Sequence, residues 1–326
     1  MTHPNAEISG CAYTHFRGFP SGYMSQTWQQ GGLKMHDYYV ENRSGMKLHC
    51  QMFGAGMPIL MIHGSASEGS FFTDTAQHLA RDYLVITYDR RGSGRSEGSA
   101  EGIYDVPSQA DDAADILQNL GRPAVVVSHS AGGCVAMELA VRCPQLVEKL
   151  IMMEPVITDC FPPDHPGVQQ IRGSVDLMRD NQTSQATAQL RRGSDPEDLG
   201  MVRKKRTKEQ KEQAAKNTSH FMQNEFIHFS TYETDYERLR KVPVVLGLTD
   251  YDAKSFFGEV ARKLSELLAC SIVVFPGRHN CPQDLPREFA YVTSGILRDE
   301  NAFSKKFRCS VSSSAQESAA GSETGF

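Results

Sequence analysis

The run Val125-Val126-Val127-Ser128-His129-Ser130-Ala131-Gly132-Gly133 constrains the fold more than any other part of this chain. A β-branched stretch ends abruptly in a small–x–Ser–x–small pattern, and a helix-compatible segment, 134–141, follows at once. This is the sequence form of a nucleophile elbow, a strand-to-helix turn so tight that it lifts one serine hydroxyl above a sheet edge. Crowding at such a turn admits only small neighbours, and Ser128, Gly132 and Gly133 supply them. Ser128 stands where glycine is commonest, and serine is still small. The helix that follows aims its N-terminal dipole and free N–H groups at Ser130, which favours an oxyanion there.

A length of 326 residues suits one large α/β domain or two ordinary ones. With 40% hydrophobic and 22% charged residues the chain can bury a sizeable core. A net charge of −5 gives no global attraction to nucleic acid or to a membrane surface. No apolar stretch reaches the length of a bilayer span, and the first residues lack a signal-peptide pattern, so a cytoplasmic location is expected. Eight cysteines without a Cys-x-x-Cys pair argue against a metal or disulfide framework. Cys134, Cys143 and Cys270 fall on apolar positions of predicted helices, where a thiol packs as a small hydrophobe.

Residues 1–34 are polar and Gly-rich, contain the only tryptophan, Trp28, and read as an N-terminal arm. Two alternating segments, 37–41 and 47–53, flank Asn42-Arg43-Ser44-Gly45 and predict a hairpin. The next strands, 59–62, 84–88, 124–127, 150–153, 244–248 and 272–275, are apolar without alternation, as expected when helices cover both sheet faces. Helical patterns at 72–80, 108–120 (closed by Gly121), 131–143 (followed by Pro144) and 256–270 lie between them. The alternation predicts a doubly wound, mostly parallel α/β sheet over 35–157 and 242–300, with its active edge at the strand C-termini.

Between 158 and 241 the alternation breaks. The basic run Arg203-Lys204-Lys205-Arg206 leads into a segment interleaved with acids, which reads as a solvated helix face rather than a nucleic-acid surface. Further on, Phe221, Met222, Phe226, Ile227, Phe229 and Tyr232 form an apolar cluster, expected to be the face of a helical cap roofing Ser130. The Ser- and Ala-rich tail, 301–326, reads as disordered.

A serine hydroxyl needs a general base. His279, in Phe275-Pro276-Gly277-Arg278-His279, lies just past the last predicted strand, where a loop can return it to the sheet edge. An oxyanion needs two N–H donors. Ala131 offers one, and Ser65 (or, as second choice, Gly64) offers another from the small-residue loop after Ile59-Leu60-Met61-Ile62-His63-Gly64-Ser65. His63 is expected beside the pocket as an orienting residue of that loop. Phe71, Phe72, Met222 and Phe226 are expected to line a pocket for a small hydrophobic molecule.

Four motifs stand in order: His63-Gly64, then Asp89-Arg90-Arg91-Gly92-Ser93-Gly94-Arg95-Ser96, the Ser130 elbow and the His279 loop. On these the chain resembles the α/β-hydrolase superfamily from about residue 38 to 297. The resemblance implies an eight-stranded, mostly parallel sheet with a helical cap inserted after strand six, where 158–241 falls. It also implies a Ser–His–acid triad. The superfamily usually carries its acid after strand seven; Asp252 has that offset, with Thr249 in place of the usual glycine, and Asp250 lies nearby. A minority carry it directly after strand six, where Glu154 stands. Its spacing from Ser130 is similar to that in fungal lactonases that open resorcylic macrolactones with a Ser–Glu–His triad. Glu154 is preferred, Asp252 stays open as the alternative, and Asp250 ranks third.

The expected activity is cleavage of an ester, lactone or related acyl bond by a serine hydrolase through an acyl-enzyme, without metal or organic cofactor. A C–C hydrolase, a lyase or cyclase using the same triad, and a non-catalytic ligand receptor of the same fold are the alternatives. A serine at the elbow argues against epoxide hydrolases and haloalkane dehalogenases, which need a carboxylate there. Whether the chain forms a homodimer is left open.

Overall fold

A computed structural model describes residues 26–30, 33–194 and 207–298. Most of the expected arm, the basic run 203–206 and the tail 301–326 therefore lie outside the described residues. The described strands are β1 Gln26–Gln30, β2 Leu33–Glu41, β3 Lys47–Gly54, β4 Met57–Ile62, β5 Tyr83–Tyr88, β6 Ala124–His129, β7 Val147–Met153, β8 Val244–Thr249 and β9 Ser271–Phe275. They form one sheet in the order β1-β2-β3-β5-β4-β6-β7-β8-β9. β1, β2 and β3 pair antiparallel, β3 runs antiparallel to β5, and every pairing from β5 to β9 is parallel.

The eight strands that the resemblance implied are β2 to β9. β1 is a further edge strand, paired with β2 from Gln26↔Asp37 to Gln30↔Leu33, in a stretch read from sequence as arm. Gln26-Thr27-Trp28-Gln29-Gln30 has no apolar alternation, so its backbone pairing leaves no mark on hydropathy.

The α-helices are α1 Thr73–Leu79, α2 Val106–Leu120, α3 Gly132–Arg142, α4 Pro166–Arg179, α5 Thr183–Ser194, α6 Lys208–His220, α7 Phe226–Ser230, α8 Tyr236–Leu239, α9 Phe256–Leu268, α10 Cys281–Asp284 and α11 Pro286–Arg298. Successive strand residues point to opposite faces, so each apolar strand serves two cores. Leu60, Ile62, Ile86, Val126 and Leu150 pack with residues of α2, α3 and α9. Ile59, Met61, Val85, Val127 and Ile151 pack on the other side with residues of α1 and α11. α4 to α8 lie between β7 and β8 and form the cap; β7 is the sixth of the eight expected strands. Cys270 lies beyond the end of α9 and is only half-buried, since the helix stops at Leu268 on a left-handed Ala269. No helix among the described residues is long and apolar enough to cross a membrane.

The motif at 89–96 follows β5 and organises the loops above the sheet. Asp89 is buried, and its carboxylate accepts from the Gly69 N–H at 2.7 Å, the Arg95 N–H at 2.8 Å and His49 Nδ1 at 3.1 Å. Burial opposes the charge, but these donors outweigh it and hold Asp89 below the usual carboxylate range. Gly94 is required here: its φ is +55°, and a Cβ would sit 2.4 Å from an Asp89 oxygen. Arg91 holds Asp112 with two bonds, 2.6 and 2.8 Å, and so ties the loop to α2.

Asp89→Asn puts a donor NH2 where an acceptor oxygen faced N–H donors and should cost about 2–3 kcal/mol at neutral pH. The native Asp89 pKa lies below its unfolded value, so the advantage is complete above roughly pH 4 and shrinks as pH falls through the native value. Chemical denaturation of both proteins at neutral and acid pH measures it; a gap that widens with acid would contradict the account.

Candidate active site

Ser130 follows β6 directly and has φ +53°, the left-handed region that non-glycine residues avoid. Its N–H donates to Met153 O at 2.9 Å, and α3 begins two residues later, so its side chain stands between a strand end and a helix N-terminus. The small neighbours are a steric necessity. A Cβ on Gly132 would lie 2.6 Å from the carbonyl oxygens of both Ile62 and His63, and one on Gly133 would lie 2.8 Å from Pro155 Cβ. A Cβ on Gly64 would meet Ser130 Cβ at 2.8 Å, so the loop after β4 presses directly on the elbow.

His279 returns from β9 through Pro276 and Gly277, whose φ is +97°. Asp250 accepts from the Gly277 N–H at 2.9 Å and so anchors this loop. The imidazole is clamped by two rings. Phe257 stacks on it with centroids 4.1 Å apart and planes 14° apart, and His129 lies 4.5 Å away on a tilted plane. His129 Nε2–H donates to His279 O at 2.8 Å, and burial above all lowers His129 and keeps it neutral.

His279 Nδ1 lies 2.6 Å from Glu154 Oε2. Glu154 is fully buried at the end of β7, itself left-handed at φ +44°, with its N–H on Gly247 O at 3.0 Å. Its Oε1 accepts from the Thr249 N–H at 2.7 Å and Thr249 Oγ1 at 2.6 Å. Asp252 Oδ2 lies 3.0 Å from the same hydroxyl, and Asp252 meets His279 at the main-chain N–H. The two acids thus stand in series. Thr249 Oγ1 has one hydrogen between two carboxyl groups. Burial and the Glu154 charge raise Asp252 above the usual carboxylate range.

A cavity of about 270 Å³ is lined by Ser65, Ser130, Ala131 and His279 at one end. Val156, Ile171, Phe221, Phe226, Phe229, Phe256 and Phe257 supply its apolar wall. The structure therefore brings Ser130, Ala131, Ser65, Phe226 and His279 onto one space, with Glu154 behind His279 and Gly64 behind Ser130. Four residues expected at the pocket are elsewhere. His63 is sealed beneath the loop, bonded to Gly64 O at 2.9 Å and to the Arg90 N–H at 3.0 Å. Burial and the Arg90 charge push it down to about 3, so it stays neutral. Phe71 stacks under His129 with centroids 4.7 Å apart, and Phe72 is buried in the core against α1. Met222 faces the groove between α5 and α6 because a π-helical turn, Phe221–Glu225, rotates it away.

Sequence reasoning passed over Thr249, Phe257, Arg90 and Glu225. Thr249 was noticed only as a replaced glycine, and its two donors to Glu154 have no sequence signature. Phe257 is signalled weakly by the Phe256-Phe257 pair opening α9. Arg90 and Glu225, 2.8 Å apart, come from segments 135 residues apart in the chain.

A model of the alpha/beta hydrolase family matches residues 59–290, and the chain belongs to that family. It is 29% identical over 274 residues to the "Uncharacterized hydrolase YraK" of Bacillus subtilis, a match covering 81% of this chain and 96% of that protein. A thermophilic esterase from Thermogutta terrifontis is similar in structure, with TM-score 0.62 and 20% identity over 80% of this chain and 98% of that one. So is a bromoperoxidase from Bacillus anthracis, with TM-score 0.65 and 21% identity over 81% and 100%. These structural likenesses carry the fold; chemistry has to come from the site.

Two substitutions at the elbow should move stability in opposite directions. Gly132→Ala sets a methyl against immovable backbone and should cost about 1–3 kcal/mol. Ser128 is fully buried and its Oγ has no hydrogen-bond partner among the described residues, so Ser128→Ala should be neutral to stabilising by about 1 kcal/mol. Thermal or urea unfolding of the pair gives both signs.

Proposed function

We propose that this chain is a serine hydrolase that cleaves an ester, lactone or related acyl bond of a small, neutral, apolar substrate through an acyl-enzyme. The observation that carries the proposal is the alignment of three groups. Ser130 is held left-handed at the rim of the cavity, His279 lines the same cavity, and buried Glu154 takes His279 Nδ1 at 2.6 Å. With Nδ1 engaged by Glu154, Nε2 is the nitrogen free to act as base.

In this reading Ser130 Oγ attacks the carbonyl carbon while His279 Nε2 takes its proton. The tetrahedral oxyanion is met by the Ala131 N–H, at the start of α3, and by the Ser65 N–H from the opposing loop. Collapse breaks the acyl–oxygen bond, and His279 returns the proton to the departing alcohol. Water, activated by the same nitrogen, then attacks the acyl-enzyme and frees Ser130. Glu154 fixes the His279 tautomer and stabilises the imidazolium formed at each step. Phe257, stacked face to face on His279, restricts the ring to the plane the reaction needs.

The cavity wall supports the substrate class. Among the described residues none that lines it is Lys, Arg, Asp or Glu, which favours an uncharged acyl group. Gln170, Thr158, Ser230 and Ser255 supply neutral polar contacts among the aromatic and aliphatic ones.

Three variants assayed on a panel of neutral esters and lactones test the proposal, with products identified by mass spectrometry. Ser130→Ala should lower kcat by at least about 10³-fold and abolish the covalent adduct with a fluorophosphonate. Glu154→Gln should lower it by about 10²–10⁴-fold. Asp252→Asn leaves the Glu154–His279 contact in place and should stay within about tenfold of wild type. Near-wild-type turnover by Ser130→Ala would end the serine mechanism, and a larger loss from Asp252→Asn than from Glu154→Gln would reassign the acid.

A further inference from the structure

Gly64 and Ser65 share one peptide unit, and no peptide bond among the described residues is cis. In a planar trans peptide the C=O and N–H point in opposite directions, so whatever fixes the Gly64 carbonyl also aims the Ser65 N–H. Two donors hold that carbonyl: neutral His63 through Nδ1–H at 2.9 Å, and Arg90 through Nη2 at 3.1 Å. Ser65 lies on the cavity and His63 and Arg90 lie beneath it.

Arg90 is the largest fully buried side chain among the described residues. Nη1 donates to Glu225 Oε2 at 2.8 Å and also to Gln109 Oε1, and the guanidinium carbon lies 5.2 Å from the ring centre of Phe229, a cavity residue. Glu225 is fully buried and closes the cap's π-helical turn. Such a turn shifts the helical register and is a common way to redirect a functional side chain. His220 Nε2 stands 3.2 Å from the second Glu225 oxygen. Burial opposes ionisation of Glu225, but Arg90 and His220 outweigh it and hold the carboxyl below its usual range. Two charges are thus kept out of water, at a cost that hydrophobic residues of similar size would avoid.

We infer that Arg90 and Glu225 are positioning residues for the oxyanion hole: the cap's Glu225 fixes the Arg90 guanidinium, and Arg90 fixes the Gly64 carbonyl so that the Ser65 N–H faces the reacting oxygen. This rests on the reading of Ser65 as an oxyanion donor. The arrangement links cap seating to catalysis, because a displaced cap removes Glu225 and frees Arg90 to leave the carbonyl. A charged donor on the carbonyl also polarises the peptide and makes its N–H a stronger donor.

The test uses the full chain and the double variant Arg90→Met with Glu225→Leu, which removes both buried charges together and avoids stranding either one. Arg90→Lys is its companion, since an ammonium keeps the pair with Glu225 but lacks the fork that reaches Gly64 O. Three quantities are read: kcat and KM on a short neutral ester, affinity for a trifluoromethyl ketone that forms a tetrahedral adduct, and the Ser65 amide resonance. Both variants should lose roughly 10- to 100-fold in kcat and a similar factor in ketone affinity, with KM within about threefold and the Ser65 resonance displaced. Folded variants with wild-type kcat, ketone affinity and Ser65 resonance overturn the inference. So does a rise in KM alone with that resonance unmoved, which marks a role in shaping the pocket only. Ser130→Ala is run beside them: should it match wild type, the serine mechanism fails, and the Ser65 resonance alone then decides whether Arg90 holds the peptide.

Discussion

The site depends on two strained residues at the ends of neighbouring strands. Ser130 ends β6 at φ +53° and Glu154 ends β7 at φ +44°, and each donates its N–H to a carbonyl of the next strand, Met153 and Gly247 respectively. Conformations of this kind cost on the order of 1–3 kcal/mol each for a non-glycine residue. The parallel register of β6, β7 and β8 offsets that cost, since it sets His129 against Met153 and Met153 against Gly247, one residue before each bend. Parallel strands leaving the sheet together in this way turn three separate chain segments into one rim, on which a hydroxyl, a carboxylate and the loop of the histidine meet.

The acid shows how far a sequence can carry such an argument. Both Glu154 and Asp252 occupy positions from which an acid can serve, and nothing in the order of residues separates them. What favours Glu154 in the proposed triad is its contact with His279 Nδ1 and the donors it receives from Thr249. The Thr249 N–H and hydroxyl both go to Glu154, leaving that carboxylate satisfied on one oxygen and open to His279 on the other. Asp252 sits on the far side of the same hydroxyl, and its bond to His279 is to the main-chain N–H.

Much of the fold was legible because its physics is local or periodic. Apolar strands without alternation announce a sheet covered on both faces, and Gly121 and Pro144 mark helix ends as their backbone chemistry requires. The elbow was legible because sterics permit few residues there, a limit visible in the 2.6 Å approach at Gly132. β1 was hidden, since its pairing is carried by backbone and its residues are polar. Phe71 and Phe72 were misplaced for a related reason. Proximity to the oxyanion loop in sequence says nothing about which side of the sheet a ring faces, and both turn inward, Phe71 beneath His129 and Phe72 against α1. Met222 and Phe226 looked equivalent by helical spacing until the π-helical turn between them sent one to the α5–α6 groove and the other to the cavity.

The cap's seating follows from the same loop that the family motif at 89–96 builds. Gly92, at φ +74°, leaves room for the His220 ring, which a Cβ would meet at 2.2 Å, and the Gly94 N–H donates to Asn217 at 3.2 Å. Asn217 also donates to Glu68 at 3.0 Å, beside the Gly69 that Asp89 holds. The end of α6 is thereby docked on polar contacts and the π-helical turn beyond it on the Glu225–Arg90 pair, while the phenylalanines face the cavity. An apolar interface alone would tolerate sliding, because dispersion and burial are non-directional. Directional bonds to a rigid loop fix where the roof sits relative to Ser130, and that position sets the depth of the cavity beside it.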